Sequence, residues 1–423
     1  MADEGERMAS DDAAARLPEI RVPTVLTFAG LVAGLAIGLL LAGTAFLDAM
    51  LAVAGPVGSL WLRALQMTIL PLVAALLFTG IVQASAAARA GAMARRTLGL
   101  FALLLVGGGL FATLAMPALL NLAPIPDQAV AALSASAQDP GPVPGFADFV
   151  ASLVPTNIIE AAASDATLPV IVFIALLALA TMRLEPGPRR QLAGFFEALA
   201  GAMMVIIGWV LALAPIGVFA LALGLAARSG SDAIGALAHY IVLVSSIGAA
   251  ILVAAYVLAV TAARQRPLAF ARAVLPAQAV AISTQSSLAS LPAMLAGCRR
   301  LGVREESAEF VLPLAVALFR ATSPAMNLAV AIYAAKLTGV AITPGMLAAG
   351  LLVASVTTLG SVSLPGTISF VASIGPIALA MGVPIEPLAL LVAVEMLPDV
   401  MRTLGNVTMN VTVTATVDRT STS

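Results

Sequence analysis

Five polar residues recur at intervals of three and four in LLVAVEMLPDVMRTLGNVTMNVTVTATVDR: Glu395, Asp399, Arg402, Asn406 and Asn410. On a helix that spacing puts them on one face, with Thr403 at its edge. A carboxylate beside a guanidinium in apolar surroundings suits a zwitterion that carries a further carboxylate. Asp399 would take the ammonium, Arg402 the acidic side chain through a bidentate fork, and Thr403 and Asn406 would add neutral hydrogen bonds. The plainer alternative is that Asp399 and Arg402 only neutralise each other. Glu395 and Asp399 are also the proton-carrier candidates, because burial and nearby cations push a carboxylate's proton affinity in opposite directions.

A second charge stands in VLPLAVALFRATSPAMNLAVAIYAA, Val311 to Ala335, a stretch long enough to cross a bilayer, in which Arg320 is charged near the middle. A guanidinium at membrane depth costs at least ~2.5 kcal/mol, so it normally meets a partner. Snorkelling to the interface is the alternative, and a mid-span position argues against it.

The elements that must hold these residues are apolar. The chain has 423 residues, 61% hydrophobic and 10% charged. Soluble proteins carry about 25% charge, so the composition is that of an integral membrane protein. A formal net charge of −1 leaves no basic surface for nucleic acid. The single Cys298 excludes an internal disulfide and a multi-cysteine metal site. One histidine, no H-E-x-x-H motif and no serine motif with a base nearby disfavour an intramembrane enzyme, and nothing calls for a cofactor or metal.

Spanning segments begin near Val25, Leu60, Thr97, Leu168, Leu192 and Ala238, with two further full-length candidates at 309–335 and 388–416. Two segments, 273–298 (with STQSSLASLP) and 345–382 (with TTLGSVSLPGTIS), are interrupted by Ser, Pro and Gly. Such backbone cannot face lipid and is tolerated where it lines a cavity. The order hairpin, helix, hairpin, helix therefore predicts an internal repeat; two helices kinked at proline are the alternative. Arginines cluster at 7–21, 89–96, 183–190, 264–272 and 299–304, while 48–59 and 123–165 hold none. The positive-inside rule then expects both termini in the cytoplasm of a multi-pass protein. Lys336 as the only lysine, with heavy alanine usage, suggests a bacterial source and hence the inner membrane. Residues 1–22, acidic and without an apolar run before Val25, are expected to form a cytoplasmic tail. Residues 123–150 are expected to be a flexible external connection.

Several motifs together resemble one family, the dicarboxylate/amino acid:cation symporters, or glutamate/aspartate transporters. They are VPTN at Val154–Asn157, LPVIVFIALLALA from Leu168, APIGVFAL at Ala214–Leu221, QSSLASLP, VLPL at Val311–Leu314, SLPGT and DVMRTLGNVT, and they fall over about residues 20 to 418. The resemblance implies an all-α polytopic fold with eight transmembrane helices and two re-entrant helical hairpins in inverted repeats. It further implies a homotrimer in which a scaffold holds an elevator-type transport domain. The scaffold would be residues 23–90 and 165–228. The transport domain would be 97–122, 235–264 and the core 265–418, with 123–164 as external loop and helix entry. Carried over position by position, the substrate ligands would be Ser286 and Ser287 on the first hairpin, the Ser363, Leu364, Pro365 and Gly366 tip of the second, and Asp399, Arg402, Thr403 and Asn406. The substrate implied is a small acidic amino acid or a related dicarboxylate. Gln285 and Leu288 change the first hairpin's wall.

The resemblance fails where that family holds sodium. Its seventh helix carries Asn-Met-Asp-Gly-Thr, and here the residues are Phe319-Arg320-Ala321-Thr322-Ser323. A tyrosine and a Thr-Ser pair of the third helix fall near Leu104, Gly107 and Gly108, and a sodium-binding aspartate of the last helix falls on Asn410. Sodium needs hard oxygen ligands that Phe, Ala, Leu and Gly side chains do not supply. The expectation is sodium-independent transport with Arg320 as a tethered cation in the substrate site. Either proton symport or uncoupled facilitation or exchange would then follow, with a channel or a transport-inactive sensor on the same fold as further alternatives.

Overall fold

The computed structural model describes residues 23–41, 44–88, 91–125, 154–164, 167–229, 232–360 and 366–422. The expected cytoplasmic tail, most of the expected external connection and the residues Ser363, Leu364 and Pro365 lie outside these. Among the described residues the secondary structure is helical throughout.

The first half is built from α1 (Thr24–Leu40), α2 (Ala45–Ala88), α3 (Ala92–Leu122), α4 (Ile158–Ala163), α5 (Thr167–Thr181), α6 (Pro186–Ala212), α7 (Ala214–Ser229) and α8 (Asp232–Thr261). The 44 residues of α2 measure roughly 66 Å at 1.5 Å per residue, about twice a hydrocarbon core of ~30 Å, so it can cross only by tilting or projecting. Packing of α1 on α7 is permitted by Gly30, Gly34 and Gly38, one turn apart. A Cβ on Gly34 would lie 2.5 Å from the Phe219 carbonyl oxygen and one on Gly30 2.4 Å from that of Pro215, so the backbones approach as only small residues allow. The asparagine of the VPTN motif has a structural task. Asn157 caps α4, its Oδ1 accepting from the Ile159 and Glu160 amides at 3.0 and 3.3 Å. Leu40, Leu60, Leu103, Leu114 and Trp209 are exposed, an outer surface that calls for an apolar solvent.

The second half repeats one plan. A helical pair, α9 (Pro267–Thr284) and α10 (Leu291–Arg300), pack against each other and are followed by α11 (Glu305–Leu318) and α12 (Ser323–Leu337). A second pair, α13 (Pro344–Gly360) and α14 (Gly366–Ala380), is followed by α15 (Glu386–Leu391) and α16 (Met396–Thr422).

The two segments read as full-length helices are both interrupted. The first breaks at 319–322 and the second at 392–395. Proline is the cause. Pro324 has no amide hydrogen to give the Arg320 carbonyl and its ring would strike it, so the Arg320 oxygen accepts from Ser323 instead, at 2.9 Å. Pro398 stands in the same relation to Val394. Apolar continuity in the sequence concealed both breaks. They leave α12 buried on almost all sides by α3, α8, α13 and α14, so it faces protein and not lipid.

Candidate functional site

The interruptions bring the polar residues together. α16 opens at Met396 with Asp399 in its first turn, where the helix dipole favours an anion, and Glu395 sits on the turn just before it. Arg402, one turn further on, uses all three guanidinium nitrogens. Nη2 donates to Glu395 Oε1 at 2.7 Å, Nη1 donates to Asn327 Oδ1 at 2.6 Å, and Nε lies 3.3 Å from Asp399 Oδ1. The other Glu395 oxygen accepts from the Tyr240 hydroxyl of α8 at 2.8 Å. Glu395 is 1% exposed and Asp399 4%, so these are ion pairs removed from water, where loss of one partner leaves an uncompensated charge.

Arg320 occupies the break between α11 and α12, half-buried, and is in electrostatic contact with this group, attracting Asp399 and repelling Arg402. Two carboxylates and two guanidinium groups thus share the centre, and their formal charges cancel. The next residues of the break are locked to α16. The Thr322 amide donates to Asn406 Oδ1 at 3.0 Å, and the Thr322 hydroxyl lies between that oxygen (2.9 Å) and the Arg402 carbonyl oxygen (3.1 Å).

Of the sequence candidates, Asp399, Arg402, Thr403 and Asn406 are buried together on α16, with Glu395 buried on the turn before it and Arg320 opposite. The first helical pair reaches them through its turn. Gln285, in the left-handed conformation at φ 50°, donates from Nε2 to the Met396 carbonyl oxygen at 3.2 Å. Ser286 Oγ accepts from the Ala289 amide at 3.2 Å, and Ser286 and Ser287 are half-buried beside it. Gly366 is the first residue of α14, and the rest of its tip lies outside the described residues. Tyr240, Asn327 and Thr322 were not singled out from the sequence. Asn327 could have been, as a carboxamide inside an apolar span; Tyr240 carried no local signal.

Apart from Asn410, the positions matched to sodium ligands are apolar. Phe319 is 1% exposed and lies parallel to Phe101 of α3, with 4.3 Å between ring centroids. Asn410 is buried with neither Oδ1 nor Nδ2 hydrogen-bonded among the described residues. Among the described residues, no group of three or more His, Cys, Asp or Glu could hold a metal ion.

Apolar helices around an ion-paired centre, with five stretches among the described residues long and apolar enough to cross a membrane, define a polytopic membrane protein of the transporter class. The sodium:dicarboxylate symporter family pattern matches residues 24–420, and the chain belongs to that family. It is 27% identical over 392 residues to the proton/sodium-glutamate symport protein of Bacillus subtilis (strain 168), covering 90% of this chain and 89% of that protein. It is 27% identical over 366 residues to the proton/glutamate-aspartate symporter of Escherichia coli (strain K12), covering 84% and 82%. It is 26% identical over 383 residues to the C4-dicarboxylate transport protein of Rhizobium etli, covering 86% and 82%. These relatives are transporters and not enzymes.

Proposed function

We propose that this protein is a secondary active transporter of acidic amino acids, aspartate or glutamate, or of related dicarboxylates, that works without sodium and is coupled to protons. The names of the relatives support the substrate class. The observation that carries the ion choice is the four-charge centre formed by Glu395, Asp399, Arg402 and Arg320. It is neutral before substrate arrives. An acidic amino acid adds one negative charge and a dicarboxylate two, and burying that excess unpaired costs several kcal/mol. Protons taken up by Glu395 or Asp399 would balance it.

Arg320 takes the place of a bound cation facing the substrate carboxylate. Asp399 receives the ammonium, and Arg402 turns from Glu395 to the acidic side chain. Thr403 and Asn406 add hydrogen bonds. Ser286 and Ser287 on the first pair and Ser363, Leu364, Pro365 and Gly366 on the second close over the substrate. The stacked Phe319 and Phe101 support sodium independence, since aromatic rings offer sodium no hard oxygen.

The repeated plan of helical pair and interrupted helix supports eight transmembrane helices with two re-entrant hairpins, and an elevator in which residues 97–122, 235–264 and 265–418 move against a scaffold of 23–90 and 165–228. Packing of α3, α8, α13 and α14 around α12 is consistent with that division. The protein would act as a homotrimer in the bacterial inner membrane, with both termini cytoplasmic.

Uncoupled exchange is the competing function, favoured by one observation: Arg402 already holds both carboxylates, so a proton must displace a guanidinium. Uptake of labelled L-aspartate, L-glutamate and succinate into proteoliposomes, with sodium and pH gradients imposed separately, tests both. Uptake driven by an inward proton gradient and indifferent to sodium is expected. Sodium-driven uptake overturns the ion choice, and counterflow without response to either gradient establishes exchange. Binding without flux identifies a sensor.

A further inference from the structure

Thr322 is the last residue of the break between α11 and α12 and the N-cap of α12. A threonine in that position ordinarily turns its hydroxyl to accept from an amide two or three residues on, yet Thr322 makes no such bond. Its side chain reaches across to α16 instead. The hydroxyl lies 2.9 Å from Asn406 Oδ1 and 3.1 Å from the Arg402 carbonyl oxygen, and the backbone amide donates to the same Oδ1 at 3.0 Å. The methyl group occupies room that Gly405 leaves, because a Cβ on Gly405 would come within 2.4 Å of Thr322 Cγ2. Hydroxyl and methyl are thus both held by α16, and Thr322 is wholly buried.

These contacts fix which way the Asn406 carboxamide faces. A backbone amide can only donate, so the atom it meets is the oxygen, and Nδ2 with its two hydrogens points the other way. Nδ2 makes no hydrogen bond among the described residues and is not sealed, as both amide atoms of Asn410 are. Asn406 stands one turn beyond Arg402 on the same face of α16. With its oxygen taken up by Thr322, it has donors left to offer a ligand and no acceptor.

We propose that Thr322 is a positioning residue that acts through Asn406. It holds the carboxamide so that the site presents only donors there, which selects a carboxylate oxygen of the ligand and turns away an ammonium. Arg402 and Asn406 then form one donor set, and Asp399 is left as the acceptor for the ammonium. This deepens the function proposed above and rests on it for the substrate class.

Asn406→Asp separates donor from acceptor, since it keeps an oxygen for Thr322 and puts an acceptor where Nδ2 was. Calorimetry on purified protein with L-aspartate, and with succinate, which has no ammonium, is the readout. Binding of both should weaken roughly tenfold or more. Unchanged or tighter binding of L-aspartate would assign the position to the ammonium and overturn the orientation. Thr322→Val keeps the shape and the backbone amide but loses the hydroxyl, and should weaken both ligands roughly three- to tenfold. Thr322→Ser should bind as the parent does. Gly405→Ala should weaken binding by pushing on the Thr322 methyl, and adding Thr322→Ser should restore it. Parent affinity in Thr322→Val, or no recovery in the double variant, overturns the role of Thr322.

Deuterium exchange in ligand-free protein labelled with 15N-asparagine decides the orientation even if Asn406→Asp does not fold. The Nδ2 hydrogens of Asn406 should exchange faster than those of the sealed Asn410, and slower exchange overturns the proposal. If the folded parent binds neither ligand, the substrate class falls, and the orientation stands or falls on the exchange result alone.

Discussion

Arg402 and Glu395 meet at 2.7 Å across the start of the last helix, the guanidinium on its second turn and the carboxylate on the turn that precedes it. Truncating one member of a buried pair costs about 3–5 kcal/mol because the other stays buried and unpaired. Arg402→Met should therefore destabilise the protein by about that much, leaving Glu395 and Asp399 facing each other. Adding Glu395→Gln should recover part of the loss, since the neutral amide removes one of the stranded charges. Thermal unfolding in detergent of the parent, the single and the double variant checks this, and equal losses in single and double variants would contradict it.

Arg320 stands where the chain leaves α11 and enters α12, in electrostatic reach of Asp399. A hydrogen bond to a charged group contributes about 1.5–3 kcal/mol, so Arg320→Met should weaken binding of an acidic substrate roughly 10- to 100-fold. Titration calorimetry with L-aspartate measures it. Unchanged affinity would remove Arg320 from the substrate site.

Restoring one carboxylate should not restore sodium. Asn410→Asp supplies an anion on α16, but Phe319, at another of the positions matched to sodium ligands, still stacks on Phe101. The melting temperature of Asn410→Asp should be indifferent to exchange of sodium for choline at constant ionic strength. A sodium-dependent rise would show that oxygen ligands remain there. Asn410→Leu should be neutral or stabilising, because it replaces an amide that lacks hydrogen-bond partners among the described residues.

Beyond the apolar span 388–416, Asp418 ties the end of α16 to the start of α11. It accepts from Arg304 Nε and Ser307 Oγ, each at 2.7 Å. Burial pushes its carboxyl upward, but the hydrogen bonds from Ser307 and Arg304 outweigh that and hold it below the usual aspartate range. A depressed folded value contributes stability that is present above the ordinary aspartate value, about pH 3.9, and is lost as pH falls through the folded value. The melting temperature of Asp418→Asn should lie below that of the parent at neutral pH. The two should converge in acid, below the ordinary aspartate value. A gap that is constant with pH would mean the contact is not titrating.

Much of the site was legible along the chain because a helix converts spacing into direction. The stripe from Glu395 to Asn406 needed only 3.6 residues per turn to share a face. Arg320 announced itself as a charge inside an apolar span. The breaks at 319–322 and 392–395 were also written there, in Pro324 and Pro398, yet hydropathy averages over such a window and reads one continuous helix. Tyr240 and Asn327 lie 155 and 75 residues from their partners Glu395 and Arg402. Nothing local marks which residues will meet across such distances.

The amino-acid sequence by itself determined the solvent and the element type. With so few charges the chain must bury its surface in lipid or in itself, and there the backbone can satisfy its own hydrogen bonds as helices. It determined as well which residues carry charge and which face of the last helix bears them. Tertiary structure alone decided who partners whom. It gave Arg402 to Glu395 and Asn327, set Phe319 on Phe101, and left the Asn410 side-chain amide without a hydrogen-bond partner among the described residues. Pairing inside a low-dielectric core depends on distances of a few ångströms between segments far apart in the chain, and only the packing of the helices sets those distances.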